Sequence, residues 1–323
     1  MIWLTWRQHR AAIVAIALVV AVLGALFIVK GREASDAFQQ LGVADCLAHP
    51  THPNCRDIVG SFYDNYGGIV DASGWLNLLP AVLGMLVGAP LVAREVEHGT
   101  HRLVWTQGIS AGRWLAVKLA ILLAVTIVAT VILTALMSWW HSTSWNQLEG
   151  HITPIMYDFE GIVPVTYAVF ALAVGIAAGV VIRRTIPAMV VALAGFLALR
   201  LPMEFLLRPR FLPPLTRTQD ILATIAPTTR DPLQGAWTIN SGWADAAGHP
   251  LADATVFQTC NPQALNSKID LIHCIHNQGW LAFTTYQPAN RFWPFQGIEA
   301  GIIVTLAVAL LALAIWRLRT RIA

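Results

Sequence analysis

Hydrophobic positions in this 323-residue chain fall in long unbroken runs rather than alternating along strands or recurring on one helical face. A helix needs about 20 predominantly apolar residues to cross a bilayer core about 30 Å thick. Six runs meet that need: Ala11 to Val29, Gly74 to Ala93, Leu119 to Trp139, Gly161 to Ile182, Thr185 to Leu199 with a polar extension, and Ala300 to Trp316. They predict an all-α polytopic membrane protein with six transmembrane helices. The first run is long for the apolar part of a signal peptide and lacks a small-residue cleavage pattern, so it reads as a span.

Charges between the runs set the orientation, because Lys and Arg in short connections stay on the cytoplasmic side. Arg7 and Arg10 precede the first run; Arg94, Arg102, Arg113 and Lys118 separate the second and third; Arg183 and Arg184 separate the fourth and fifth; Arg317, Arg319 and Arg321 follow the last. The alternate connections hold Lys30, Arg32 and Arg56, and no Lys or Arg occurs between Trp140 and Glu160. Both termini are therefore expected in the cytoplasm. The segment from Arg200 to Glu299 is long enough to be exempt from the rule.

Composition closes off one class outright. With 56% hydrophobic and 12% charged residues, against about 45–50% and about 25% in an ordinary soluble domain, the chain is not a water-soluble globule. A net charge of +3 gives no support to nucleic-acid binding. All four cysteines fall in the two segments placed outside, Cys46 and Cys55 in the first and Cys260 and Cys274 in the last. An even count in an oxidising compartment favours two local disulfides, Cys46–Cys55 and Cys260–Cys274.

These signals divide the chain into a cytoplasmic amphipathic interface helix over 1–10, spans one to five over 11–199 with an extracellular loop at 30–73, an outer segment over 200–296, and the sixth span with a cytoplasmic tail over 297–323. The outer segment carries Trp237, Trp243, Trp280 and Trp293 and is rich in turn formers such as Pro213-Pro214 and Asn240-Ser241-Gly242. It reads as a small disulfide-stapled extracellular domain of turns and short elements.

Several chemistries lack their residues. A P-loop needs a Lys after a Gly, and the three lysines follow Val29, Val117 and Ser267. The nearest string to a zincin motif, Glu97-His98-Gly99-Thr100-His101, has its histidines three apart with a glycine between them. His273-Cys274-Ile275-His276 with Cys260 lacks metal-ligand spacing and competes with the disulfide. No catalytic residue, metal site or bound cofactor is assigned to the chain.

The most informative polar string runs from Ala93-Arg94-Glu95-Val96-Glu97-His98-Gly99-Thr100-His101-Arg102-Leu103-Val104-Trp105 through Thr106 and Ser110 to Lys118. Glu95 and Glu97 open a short amphipathic element whose Leu103, Val104 and Trp105 offer apolar surface to a partner. Arg94, Glu95, Glu97, Gly99, Thr100, Thr106, Ser110 and Lys118 match in order a pattern found after the second span of ABC-2 (type V) permeases, and the chain resembles that family. Trp3-Leu4-Thr5-Trp6-Arg7-Gln8-His9-Arg10 is similar to its interface helix, and the resemblance extends along the chain but departs in the long last loop. It implies an ATP-driven exporter, in which two permease copies bind two ABC ATPase subunits that use ATP and Mg. It also implies that 94–105 is the coupling helix, with Arg94, Glu95, Glu97, His98, Gly99, Thr100, Arg102, Leu103 and Trp105 as contact residues.

Within the runs, Gly84 and Gly88 of the second and Ala171, Gly175 and Gly179 of the fourth form faces where helices can approach closely. Pro80 and Pro90 are candidate kinks in the second run. Arg200 and Glu204, one helical turn apart, and Glu299 are ionisable groups at outer span ends and candidates for a substrate path. The leading reading is outward export of a hydrophobic or amphipathic compound across the plasma membrane. The alternative is an integral membrane enzyme, or a ligand sensor or immunity protein, that uses the extracellular domain.

Overall fold

The computed structural model describes residues 2–49, 54–98, 111–146, 148–222, 233–260 and 268–321. Six of its helical segments are long and apolar enough to cross a membrane: Arg10–Gln40, Asp57–Glu97, Ala116–Trp145, Val163–Ile182, Thr185–Arg210 and Ala289–Leu318. Each contains most or all of one predicted run.

The fourth span is the axis of the bundle. Of its most apolar stretch 72% is buried inside the protein, against 11% for the first span, whose Val14, Leu18, Val22 and Leu26 point outward. Small residues make the central position possible. A Cβ added at Gly84 would strike the Ala171 carbonyl, one at Gly175 the Gly84 carbonyl, and one at Gly179 the Ala89 carbonyl. The second and fourth spans therefore pack backbone to backbone, the close approach that small residues permit in lipid.

The second span is irregular where its prolines predict. A 3₁₀ turn at Gly74–Leu78 precedes the helix Leu79–Leu83, and a π turn at Gly84–Gly88 leads into Pro90–Glu97. Pro90 has no N–H to give to the preceding turn, and the Ala89 amide instead donates to the Gly84 carbonyl at 2.9 Å.

One expectation about the extramembrane parts changes, and one segment gains detail. The segment between the first two spans is helical: one helix runs unbroken over Ile2–Gln40, so residues 2–10 continue directly into the first span, and helices Val43–Ala48 and Cys55–Ser73 follow. The segment spanning 200–296 corrects the all-α assignment, because it holds an antiparallel sheet. Strands β1 (Leu215–Asp220), β2 (Trp237–Ala244), β3 (Pro250–Leu251) and β4 (Leu281–Gln287) pair in the order β1-β4-β2-β3. Helices Asp253–Thr259 and Lys268–Asn277 contribute to a small core of Ile221, Val256, Cys260 and Ile275, which Trp243 and Trp280 flank. The strands escaped notice because β1 is exposed at nearly every position and so lacks the alternation of a half-buried strand.

The sheet is rooted in the bundle by Gln287, whose Nε2 donates to the carbonyls of Pro209 (3.1 Å) and Leu212 (2.8 Å). Arg291 Nη1 donates to the carbonyl of Pro213 at 2.7 Å and to Gln287 Oε1 at 2.5 Å. Both disulfides form as the sequence predicts, Cys46–Cys55 with Cα atoms 5.2 Å apart and Cys260–Cys274 with 5.9 Å. The thiols considered for a metal with His273 and His276 are thus bridged to each other. Packing of Phe38, Phe62, Trp145 and Phe159 in one cluster puts the first disulfide loop at the same end of the bundle as the sheet. The opposite end carries the start of the helix Ile2–Gln40, the end of the helix Phe292–Arg321, and the Arg94, Lys118, Arg183 and Arg184 connections.

Candidate functional site

The site begins with a turn. After the short helix Pro154–Tyr157, the chain passes through Asp158, Phe159, Glu160 and Gly161 before the fourth span starts at Val163. Gly161 has φ +72°, open to glycine at little cost, and a Cβ there would lie 2.7 Å from Gln296 Oε1. Gln296, fully buried on the sixth span, fills that space. Its Oε1 accepts from the amides of Ile162 (3.0 Å) and Val163 (2.9 Å), two donors with no partner inside their own helix. Its Nε2 donates to the carbonyls of Tyr157 (3.2 Å) and Glu160 (3.1 Å). One amide thereby holds both Asp158 and Glu160 in place.

Asp158 faces inward, into a network of buried charges. Arg208 donates from Nη2 to Asp158 Oδ1 at 2.7 Å and grips Glu299 with two bonds, Nε to Oε2 at 2.8 Å and Nη2 to Oε1 at 2.7 Å. Arg200 Nη2 donates to Asp158 Oδ2 and lies 3.3 Å from Glu204 Oε2. The Tyr167 hydroxyl donates to Glu299 Oε1 at 2.8 Å. Each guanidinium also sits over a ring, Arg200 over Tyr167 at 4.6 Å and Arg208 over Tyr157 at 4.3 Å. Two carboxylates and two guanidinia thus balance in a buried network, with Glu204 at its rim.

Of the predicted substrate-path residues, Arg200, Glu204 and Glu299 come together here. Arg200 and Glu204 approach as their spacing implies, although Asp158 is the closer partner of Arg200. The sequence reading missed Asp158, Arg208, Tyr157 and Tyr167. Asp158 lies just before an apolar run and reads as loop. Arg208 is eight residues from Arg200, about 80° round a regular helix. The π turn at Met203–Leu207 slips the chain back by about one residue, or about 100°, and brings the two arginines to within about 20° of one face.

Beside the network lies a cavity of about 370 Å³ between the first three spans, lined by Ile16, Val20, Leu83, Leu133 and Phe159 and reaching Asp158, Tyr167 and Arg200. Its wall is predominantly apolar, with Asn77, Thr130 and Thr134 among the lining residues, and it is charged at that one end.

Glu160 faces the other way. His141, in a π turn ending the third span, brings Nδ1 to 2.7 Å from Glu160 Oε1, and His151 Nδ1 donates to Glu160 Oε2. Burial pushes the Glu160 carboxyl up, but the two facing imidazoles more than offset it and hold it below the ordinary carboxylate value. Its hydrogen bond to Glu160 raises the His151 imidazole.

At the opposite end, Arg94, Glu95, Glu97 and His98 end the second span, whereas Gly99, Thr100, Arg102, Leu103 and Trp105 lie outside the described residues. Glu97 Oε2 accepts from the amide (2.9 Å) and hydroxyl (2.6 Å) of Thr185, which starts the fifth span. Lys118, fully buried, donates to Glu95. The acidic pair thus fastens the second span to the third and fifth.

Residues 17–208 match the family model described as ABC-2 membrane transporter related. The chain belongs to this family. It is a multi-pass membrane protein and a permease of an ABC transporter, a transport component that is not itself catalytic and is implied to work with an ABC ATPase subunit. The matched region of the permease takes in the buried arginines and the glycine seam and stops before the sheet domain, where the resemblance to the family departs. Comparison with curated proteins and with solved structures gives no match.

Proposed function

We propose that this permease exports a hydrophobic or amphipathic compound, such as a drug, antibiotic, lipid or peptide, outward across the plasma membrane. The carrying observation is the apolar cavity that ends on Asp158, Tyr167 and Arg200. Such a shape suits a molecule with an apolar body and one polar end, since apolar walls take up the body and a few placed polar groups fix its orientation. Ionisable groups inside a membrane protein commonly mark a substrate pathway. Two permease copies act with two ATPase subunits, which use ATP and Mg, while the Lys- and Arg-rich end of the bundle faces the cytoplasm.

Closure of the ATPases reaches the bundle through 94–105 as a coupling helix. The bonds of Glu97 to Thr185 and of Glu95 to Lys118 favour this role, because movement of that segment pulls directly on the third and fifth spans. Those spans hold one wall of the cavity and Arg200, so access can alternate between the two sides.

Purification of the permease from its native membrane tests the reading. A stoichiometric ATPase should come with it, and vesicles holding the pair should move an amphipathic fluorescent dye when given ATP. Glu97→Arg should abolish both transport and transport-coupled ATP hydrolysis while leaving insertion intact. Leu133→Trp, which fills the cavity, should block transport and leave the ATPase bound. A chain that purifies alone, or dye export unaffected by both substitutions, overturns the proposal.

A further inference from the structure

His141, His151 and Glu160 stand outside the charge network and the cavity. We propose that they bind a first-row divalent transition ion, with Zn²⁺ the best fit, at the end of the bundle that carries the disulfides. One nitrogen from each histidine and a carboxylate oxygen of Glu160 all lie within 4.8 Å of one another. Two imidazoles and one carboxylate are a ligand set zinc accepts, and three protein ligands leave a fourth position for water or another group.

The second observation is a conflict between buried acceptors. His141 Nε2 lies 3.2 Å from the Glu149 carbonyl oxygen, so it carries the proton and donates it there. In the neutral ring Nδ1 is then a bare lone pair, and it lies 2.7 Å from Glu160 Oε1, itself an acceptor. Both atoms are buried, and in this tautomer neither makes a hydrogen bond. Either a second proton on His141 or a cation between the two atoms resolves the conflict, and the test below separates them. Histidine ligands commonly give their other ring N–H to a backbone carbonyl, which fixes the tautomer needed for the metal.

Charge balance points the same way. No Lys or Arg occurs between Trp140 and Glu160, and the ion pairs of Glu160 are to the two histidines alone among the described residues. A buried carboxylate needs an opposite charge. Bond lengths of about 2.0–2.2 Å put tetrahedral ligands about 3.4 Å apart. The His141–Glu160 pair, at 2.7 Å, has to open by less than about 1 Å. His151 Nδ1 loses to solvent the proton it now gives Glu160. Its ring is 45% exposed, which provides the entry path, while Gln296 and Gly161 hold Glu160 from behind.

The test uses the full-length permease in detergent, with an affinity tag free of histidine, stripped with chelator and dialysed against Zn²⁺ or Co²⁺. One equivalent of metal per chain is expected, and the cobalt form should show the visible bands of tetrahedral coordination. His151→Ala removes a half-exposed ligand without opening the core and should weaken binding at least tenfold. Zn²⁺ should raise the melting temperature of the parent chain but not of His151→Ala. His276→Ala, an exposed histidine of the sheet domain, should leave both readings unchanged. Absence of stoichiometric metal in the parent chain, or equal affinity after His151→Ala, overturns the proposal; either result leaves the three groups as a protonated histidine–glutamate cluster.

Discussion

Asp158 and Glu160 are two residues apart on one turn, clamped by one glutamine, yet they serve opposite arrangements. Asp158 belongs to a set in which two carboxylates meet two guanidinia, so charge cancels among buried side chains. Glu160 meets imidazoles, whose charge is conditional, and one buried nitrogen and one buried oxygen are left without a hydrogen bond. The first arrangement balances its charges within the protein, though one nitrogen of each guanidinium makes no hydrogen bond, and can hold spans together beside a cavity. The second draws its positive charge from imidazoles alone, which a metal ion can replace. Guanidinium stays protonated and forms fixed two-pronged bonds, whereas imidazole trades its proton near neutral pH and ligates metals.

The largest expected effect that separates the two comes from deleting Asp158. Asp158→Ala leaves Arg200 and Arg208 short of a counter-charge in a buried site, a loss of about 3–5 kcal/mol. Thermal unfolding in detergent should show a large fall or no folded protein. Arg200→Ala in the same chain should restore part of it. A loss below about 1 kcal/mol means that water reaches the network, and the contrast with Glu160 fails.

Next is the shared clamp. Gly161→Ala forces a side chain onto φ +72° and into the Gln296 amide, at an expected cost of about 1–3 kcal/mol. Because both acidic groups hang on this turn, the substitution should lower stability and also weaken zinc binding. An effect on one property alone would show the two clusters to be independently held.

The glycine seam gives a comparison without charge. Gly175→Ala places a methyl against the Gly84 carbonyl and the Gly88 backbone, and overpacking of this kind costs about 1–3 kcal/mol. Transport should fall with stability while metal binding is kept. Preserved transport would remove the seam from the moving parts of the permease.

The smallest effect comes from an acid–histidine pair in the open. Asp220 accepts from the Leu222 amide at 2.9 Å and pairs with His276 at 2.9 Å; these contacts, the amide foremost, hold its carboxyl below the ordinary value. A folded-state pKa below the unfolded value, about 3.9, adds stability that is present above that value and is lost as pH falls through the folded one. Asp220→Asn should flatten the acid side of the sheet domain's stability, read as hydrogen exchange in β1 and Lys268–Asn277 between pH 5 and pH 3 (about one unit either side of the unfolded value). An unchanged acid limb would mean the pair contributes nothing in water, as many exposed ion pairs do.

Legibility in the sequence followed the range of the interaction. The spans could be read because a run of apolar residues reports its own transfer into lipid, and the cysteines because each pair closes a short loop. Gly84, Gly175 and Gly179 announced a close seam by spacing along single helices. Arg200 and Glu204 were recognised through their one-turn separation, but Arg208 was not, because a π turn moves it onto their face. His141, His151 and Glu160 carry no motif spacing, and they meet only because Gln296 and the π turn at His141–Trp145 set the turn and the ring. Strands β1 and β4 pair across more than sixty residues, and β1 shows too little burial to pattern its sequence.

The sequence alone therefore determined that this chain lives in a membrane, how many times its helices can cross, and the family whose coupling segment it resembles. These properties depend on composition over one helix length and on local strings. Tertiary structure decided which charges are enclosed together, where the cavity ends, and that two acidic neighbours face different partners. Those outcomes depend on small helix irregularities and on single side chains, such as Gln296, that reach across the bundle, and a one-residue slip is enough to turn a buried arginine toward or away from its counter-charge.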